Sequence, residues 1–378
     1  MEEATTYKLG DISTMKYGKL PPKYINEGNY PIWSGYRYVG KCNEFNCNKG
    51  DIIIVARGVG GTGDVKIAKE DCYLTNLSIQ VKLDKNICQP EYFYYSYLLS
   101  NLKYLDSGSA QSQITIEDLK RLEVTLPPLE QQHKITDILK SIDEKIELNR
   151  QINDNLEQQA QALYKSWFID FEPFKDGEFV ESEIGLIPEG WKVGTLSDLA
   201  EITMGQSPSG KSYNECGEGI LFYQGRAEFG DRYPSIRLYT TEPSRIAEQN
   251  SVLLSVRAPV GDTNIAYNKC CIGRGLASIK AKHGFNSFIF YMIKSMRDQF
   301  DMYNGEGTVF GSINRDSLNS LNVIVPTNDV INEFEKIVAP LDLKYKSLFA
   351  ENLLLTQQRD TLLPKLMSGE LKINEIDC

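Results

Sequence analysis

Apolar positions along this chain alternate between two periods, and the alternation divides it. From Leu129 to Phe168 the stretch LEQQHKITDILKSIDEKIELNRQINDNLEQQAQALYKSWF holds neither Gly nor Pro, while Pro127 and Pro128 stand just before it, where proline suits a helix start. Apolar residues recur seven apart at Ile135, Ile142, Leu156 and Leu163, with Asn149 filling the vacant place in the series. A second stripe runs through Ile138/Leu139, Ile146, Ile152, Ala160 and Trp167. A narrow seam of this kind is the pattern of a coiled-coil partner, and a lone Asn on it fixes register at some cost in stability. Forty residues make a rod of roughly 60 Å. Between Asn332 and Met367 the series Phe334, Leu341, Leu348, Leu355, Leu362 repeats the same step. Pro340 predicts a break or restart there, and Pro364 with Gly369 predicts the end. Two matching seams in one chain predict two helices packed on each other, with pairing between two chains as the alternative.

Outside these rods the pattern is strand-like and is used twice, at a period near 200 residues. YKLGDISTMKYGKLPPKY from Tyr7 answers WKVGTLSDLAEITMGQSPSGKSY from Trp191, each with a short helix-like piece (LGDI, LSDL) before a polar, Gly-containing loop. GDIIIVARGVGGTGDVKIA from Gly50 answers NSVLLSVRAPVGDTNIAYN from Asn250, aligning Arg57 with Arg257 and Gly61 with Gly261 after a buried-strand run. Strands NLSIQVKL and GLASIKAK follow, then the aromatic helices PEYFYYSYLLSNL and NSFIFYMIKSMRDQF, then Gly/Ser-rich loops. Strands LEVTLPP and LNVIVPT close the halves. The predicted organisation is a domain at 1–128, a helix at 129–168, a Glu/Gly/Pro-rich linker at 169–190, a second domain at 191–326, a helix at 327–369 and a tail at 370–378. The fold class is α+β: two similar α/β domains and two long helices in an antiparallel coiled coil, with pseudo-twofold internal repetition.

Composition refines this picture. Net charge is −10, but 1–128 carries 15 residues of each sign and 180–325 carries 14 basic against 16 acidic. The acidity concentrates in 129–179 (6 against 11) and 326–378 (6 against 9), so both globular parts can present basic faces. Eight cysteines without a CxxC pair, and only two histidines, predict reduced thiols and no zinc site. No signal peptide opens the sequence and no apolar run is long enough to span a bilayer. A soluble, cytoplasmic protein is expected.

Two enzyme-like motifs fail on context. Gly58-Val-Gly60-Gly-Thr-Gly63 satisfies GxGxxG, but the strand-like DVKIA follows where a phosphate needs a helix N-terminus. Asp51 with Asp64-Val65-Lys66 resembles a metal nuclease's acid…acid-x-Lys set, yet GDTNIAYN in the second half lacks the Lys. No Walker loop, GxSxG elbow, HExxH or adenine-methyltransferase Asp/Asn-Pro-Pro-Tyr/Phe motif is present. The reading is a non-catalytic binder that holds neither metal nor cofactor.

The loops offer DNA-reading chemistry. The first domain supplies Lys16, Lys19, Lys23, Ser34, Tyr36, Arg37, Arg57, Ser109, Gln111 and Gln113. The second supplies Gln206, Ser207, Lys211, Gln224, Arg226, Arg257, Arg274, Thr308 and Ser312. Arg pairs bidentately with guanine and Gln with adenine, while hydroxyls and Lys hold phosphates. Arg57 and Arg257 lead, because the arginine recurs at a strand end in both halves; a structural ion pair is the competing explanation.

The chain resembles the specificity subunit of type I restriction–modification enzymes over essentially its whole length. The most telling parts are LPPLEQQHKITDILKSIDEKIELNRQINDNLEQQAQALYKSWF, the shorter echo LLPKLMSGEL and the two domain openings. The resemblance implies two target-recognition domains, each reading half of a bipartite site in double-stranded DNA, with the coiled coil setting the spacer. It implies as partners two modification subunits that methylate adenine with S-adenosylmethionine, and restriction subunits that translocate and cut DNA with ATP and Mg. A scaffold joining two protein-binding domains and, more remotely, a metal-dependent nuclease are the alternatives from other classes.

Overall fold

A computed structural model describes residues 4–58, 61–106, 112–304 and 311–371. Two compact units emerge: Met1–Asn149 with Ala350–Cys378, and Arg150–Phe349. Each long helix therefore contributes to both units.

In the first unit the apolar run Ile52–Val55 is buried at every residue, because it lies inside a four-stranded antiparallel sheet ordered Ser13–Tyr17, Ser78–Leu83, Ile52–Val55, Val65–Ile67. Strands covered on both faces read as continuous rather than alternating hydrophobic runs. A three-stranded sheet sets Tyr30–Ser34 between Arg37–Cys42 and Tyr73–Leu74, and Thr5–Lys8 pairs with Glu123–Leu126. The first aromatic helix, Pro90–Ser96, covers the larger sheet. Phe93 joins Ile52, Ile54, Ile79 and Val81 in a core completed by Ile135, Leu139, Leu363 and Leu366 of the long helices.

The second unit repeats this plan. Its four-stranded sheet is ordered Ala200–Met204, Leu276–Ala281, Val252–Ser255, Thr263–Ile265, and Lys192–Thr195 pairs with Asn322–Val325. A larger second sheet has Ile220–Tyr223 and Cys270–Ile272 as parallel neighbours, as Tyr30–Ser34 and Tyr73–Leu74 are in the first unit. The second aromatic helix, Asn286–Ser295, packs with Tyr164, Phe168, Phe334 and Val338.

The central helix spans Leu129–Phe168 and the C-terminal helix Asn328–Met367, 40 residues each. In the first unit they run antiparallel: Asp143 meets Arg359 at 2.7 Å, and six residues on, Asn149 meets Asn352 at 2.9 Å. In the second unit Phe168 lies 5.0 Å from Phe334, ring to ring. Pro340 does not break the C-terminal helix, contrary to the expectation from sequence. It sits at an exposed position, where water can satisfy the carbonyl a proline leaves unpaired. Of the heptad positions named above, Ile135, Asn149, Phe334 and Leu348 are buried, and Ile142, Leu156, Leu163, Leu341, Leu355 and Leu362 are half-buried. The deeper line on the central helix is Gln132, Leu139, Ile146, Asn153, Ala160; two polar members hid it from a count of apolar residues.

Three local readings change. Leu9–Ile12 is a turn and bend, whereas Leu196–Leu199 is a short helix closed by a Thr195–Asp198 capping box. The 169–190 segment is more than a linker, for Phe179–Ser182 and Gly185–Pro188 form a hairpin. Gly261 matches Gly63 rather than Gly61. Gly63 N donates to Val55 O and Gly261 N to Ser255 O, each at the end of the corresponding strand, so the turn in the first unit is two residues longer.

Candidate nucleic-acid interface

The Gly58–Gly63 stretch leads from Ile52–Val55 into the antiparallel strand Val65–Ile67, so no helix N-terminus is available for a dinucleotide phosphate. Asp51 precedes the first of these strands and accepts from Gln80 Nε2 and from Asn48 N. Asp64 lies at the other end of the pair, its carbonyl receiving Val55 N. A four-residue strand, roughly 13 Å, separates the two carboxylates, too far to share one metal. Among the described residues no group of three or more His, Cys, Asp or Glu is placed to hold a metal ion.

What recurs is a patch at the end of the buried strand. Arg57 bridges Gln113 and Arg257 bridges Ser312, each as an isolated antiparallel pair. Ile114 N donates to Ala56 O at 3.0 Å and Ile313 N to Val256 O at 3.1 Å. Both arginines are exposed, and among the described residues neither guanidinium meets a carboxylate. The structural ion pair that competed with a binding role is absent at both positions. Their backbones are fixed while their side chains remain free.

In the first unit the patch extends through Thr75. Its amide donates to Trp33 O, its hydroxyl to Ser34 Oγ at 3.2 Å, and Lys19 N reaches the neighbouring Leu74 O. Gly35 backs onto Arg57 O, bringing the Ser34–Arg37 turn alongside. There Arg37 Nε donates to Tyr36 Oη at 2.8 Å and stacks on that ring. Lys19, Ser34, Tyr36, Arg37, Arg57 and Gln113 thus form one surface. Lys16 lies one strand over, where its charge is felt by Cys47, and Lys23 is exposed on a separate loop. Ser109 and Gln111 lie outside the described residues, as does Thr308.

The second unit gathers Gln206, Ser207, Gln224, Arg257, Arg274 and Ser312. Gln206 N donates to Ile272 O, Arg274 N to Ser207 Oγ, and Gly275 bonds both Gln224 O and Val256 N. Lys211 sits in a separate turn. Arg226 is diverted: with Arg297 it clamps Asp262, and that carboxylate holds Arg297 above the usual guanidinium range. Gly18 and Gly205 anchor the loops of the two patches, since a Cβ on either would strike the carbonyl oxygens of Thr75 or Gly273. Thr75, Leu77 and Gly275 were not singled out in the sequence, because they act through backbone and a small hydroxyl. Matching the halves strand by strand would have located them.

The fold is one domain used twice, with its own stretch of paired long helices and a polar, arginine-bearing patch in each copy. These features define a tandem-domain specificity protein. The profile of the type I restriction modification DNA specificity domain matches residues 1–158 and again 188–343, and the chain belongs to this family. The MjaX sequence of Methanocaldococcus jannaschii, assigned as a type I restriction enzyme specificity subunit, is 36% identical over 302 residues, covering 77% of this chain and 70% of its own. The type I restriction enzyme MjaIX specificity subunit of the same organism is 28% identical over 378 residues, covering 93% and 84%. The crystal structure of the type I restriction–modification system S subunit from M. genitalium shares the fold, with a TM-score of 0.62 at 19% identity over 96% of each chain. Among the described residues no helix is long and apolar enough to cross a membrane.

Proposed function

We propose that this chain reads a bipartite DNA sequence for a type I restriction–modification assembly, one half-site per globular domain, and carries no catalytic centre itself. The observation that carries the reading is the recurrence of an exposed, unpaired arginine, locked by the same backbone bridge at the same strand end in both domains. An arginine on a rigid backbone is suited to bidentate contact with a guanine edge. Backbone amides and hydroxyls around it suit phosphate contacts, which position without specifying. In this reading the paired helices set the gap between half-sites. Exposed leucines on them, Leu148, Leu353 and Leu354 in one unit and Leu343 in the other, offer apolar footholds for two modification subunits that use S-adenosylmethionine. Restriction subunits using ATP and Mg complete the assembly.

A genome-wide map of methylated adenine tests this, made with and without the gene while the partner methyltransferase is present in both. The expected result is a split motif with an unspecified gap that disappears with the gene. An unchanged map, joined to absence of salt-sensitive DNA binding by the purified assembly, would favour the scaffold alternative.

A further inference from the structure

We propose that Tyr95 with Asp143, and Tyr291 with Asp342, are positioning latches that set the angle at which each recognition domain is carried on its long helix. This inference rests on the bipartite reading above. Tyr95 is the sixth residue of the first aromatic helix and Tyr291 the sixth of the second. Asp143 and Asp342 are each the fifteenth residue of their long helices. Tyr95 Oη donates to Asp143 Oδ2 at 2.8 Å, and Tyr291 Oη to Asp342 Oδ1 at 2.7 Å. The same bond at the same register in both repeats marks a feature of the shared design.

Each aspartate also binds one arginine, drawn from different places. Arg359 of the C-terminal helix reaches Asp143 at 2.7 Å, so the first latch joins domain, central helix and C-terminal helix. Arg232 of the second domain reaches Asp342 at 2.5 Å with its side chain only 1% exposed. Its guanidinium lies 4.7 Å from the Phe290 ring and 4.6 Å from that of Tyr345. Burial and the neighbouring carboxylate both push the Tyr95 phenol up, so it stays a donor throughout the physiological range.

Apolar packing is non-directional and leaves rotation about a helix contact soft, whereas a charge-assisted hydrogen bond in a part-buried site fixes direction. The fixed element is coupled to the reading patch. Just past the first aromatic helix, Leu102 N donates to Gly63 O at 2.9 Å, and Gly63 N donates to Val55 O at 2.9 Å, two residues before Arg57. Just past the second, Asn304 Oδ1 accepts Val260 N in the turn that follows Arg257. A change of tilt at the tyrosine is thereby passed to the arginine.

Tyr95→Phe and Tyr291→Phe keep ring and packing while deleting the bond. Adenine methylation by the assembly of wild-type or variant chain with its modification subunits would be read across DNAs whose gap is altered by one base pair, alongside thermal unfolding. Loss of one such bond predicts that methylation at altered-gap sites, relative to the native gap, rises about fivefold, with half-site bases unchanged. Variants that melt earlier but discriminate gaps as wild type does would overturn the latch and leave only packing. If Tyr95→Phe fails to assemble, Asp143→Asn weakens the same bond and decides by the same readout. A wild-type assembly without a split motif would overturn the bipartite reading and the latch with it. A wild-type split motif with indifferent variants would overturn the latch alone.

Discussion

Arg57 and Arg257 illustrate how backbone and side chain divide their work within one residue. The backbone of each is committed to the fold through its bridge to Gln113 or Ser312, and the side chain has no described carboxylate to neutralise it. A solvated, unpaired guanidinium contributes little to stability, so its removal tests function cleanly. Arg57→Ala is expected to weaken discrimination at one position of the first half-site only, and Arg257→Ala at one position of the second, each by about 1–3 kcal/mol. Binding to oligonucleotides mutated base by base would show this. Equal loss at both half-sites from either change would argue for phosphate contact, and no loss would remove these residues from the readout. Arg226 carries the contrary lesson. Its sequence context resembles that of the others, but its charge is spent on Asp262, a partner 36 residues away that periodicity does not connect to it.

At the scale of elements, the sequence was most legible where a pattern runs long. The two 40-residue helices and the IIIV and VLLS strands follow from period and continuity alone. Pro340 and the 169–190 hairpin were misread because each depends on which side faces water, which local composition does not encode. The polar members of the seam were missed for a related reason: Gln132 is buried because it serves backbone groups, accepting Gln89 N and donating to Ile87 O and Pro127 O. Glu335 does similar work in the second unit, its carboxylate accepting Phe288 N at 2.9 Å in the first turn of the second aromatic helix. Burial nevertheless pushes its carboxyl above the usual range. The folded state therefore binds that proton more tightly than the unfolded chain, so this group favours folding at low pH. Its contribution falls as pH rises through the unfolded value of about 4.3 toward the raised folded one. Glu335→Gln keeps an acceptor and removes the titration. The variant is expected to gain stability relative to wild type as pH is raised from 4 to 7, and denaturant midpoints at those two pH values would reveal it. A difference that stays flat would mean the carboxyl titrates alike in both states.

For the molecule as a whole, duplication makes a distinctive demand on the helices. The family profile fits the chain twice in succession, and each compact unit takes part of both long helices. A change in one helix alone would disturb the antiparallel pairing seen at Asp143–Arg359 and Asn149–Asn352. Matched insertions preserve it, because seven residues return each seam to the same face. At 1.5 Å per residue such an insertion adds about 10 Å of helix, equivalent to roughly three base pairs of duplex. If the paired helices act as the ruler, one heptad added to both, between Asn149 and Leu156 and between Leu341 and Leu348, should lengthen the gap in the methylated motif by up to about three base pairs. The bases of both half-sites should stay as they were, since neither patch is touched. Long-read mapping of methylated adenine would report gap and half-sites together. A folded, methylation-competent variant that retains the original gap would show that something other than helix length determines the spacing.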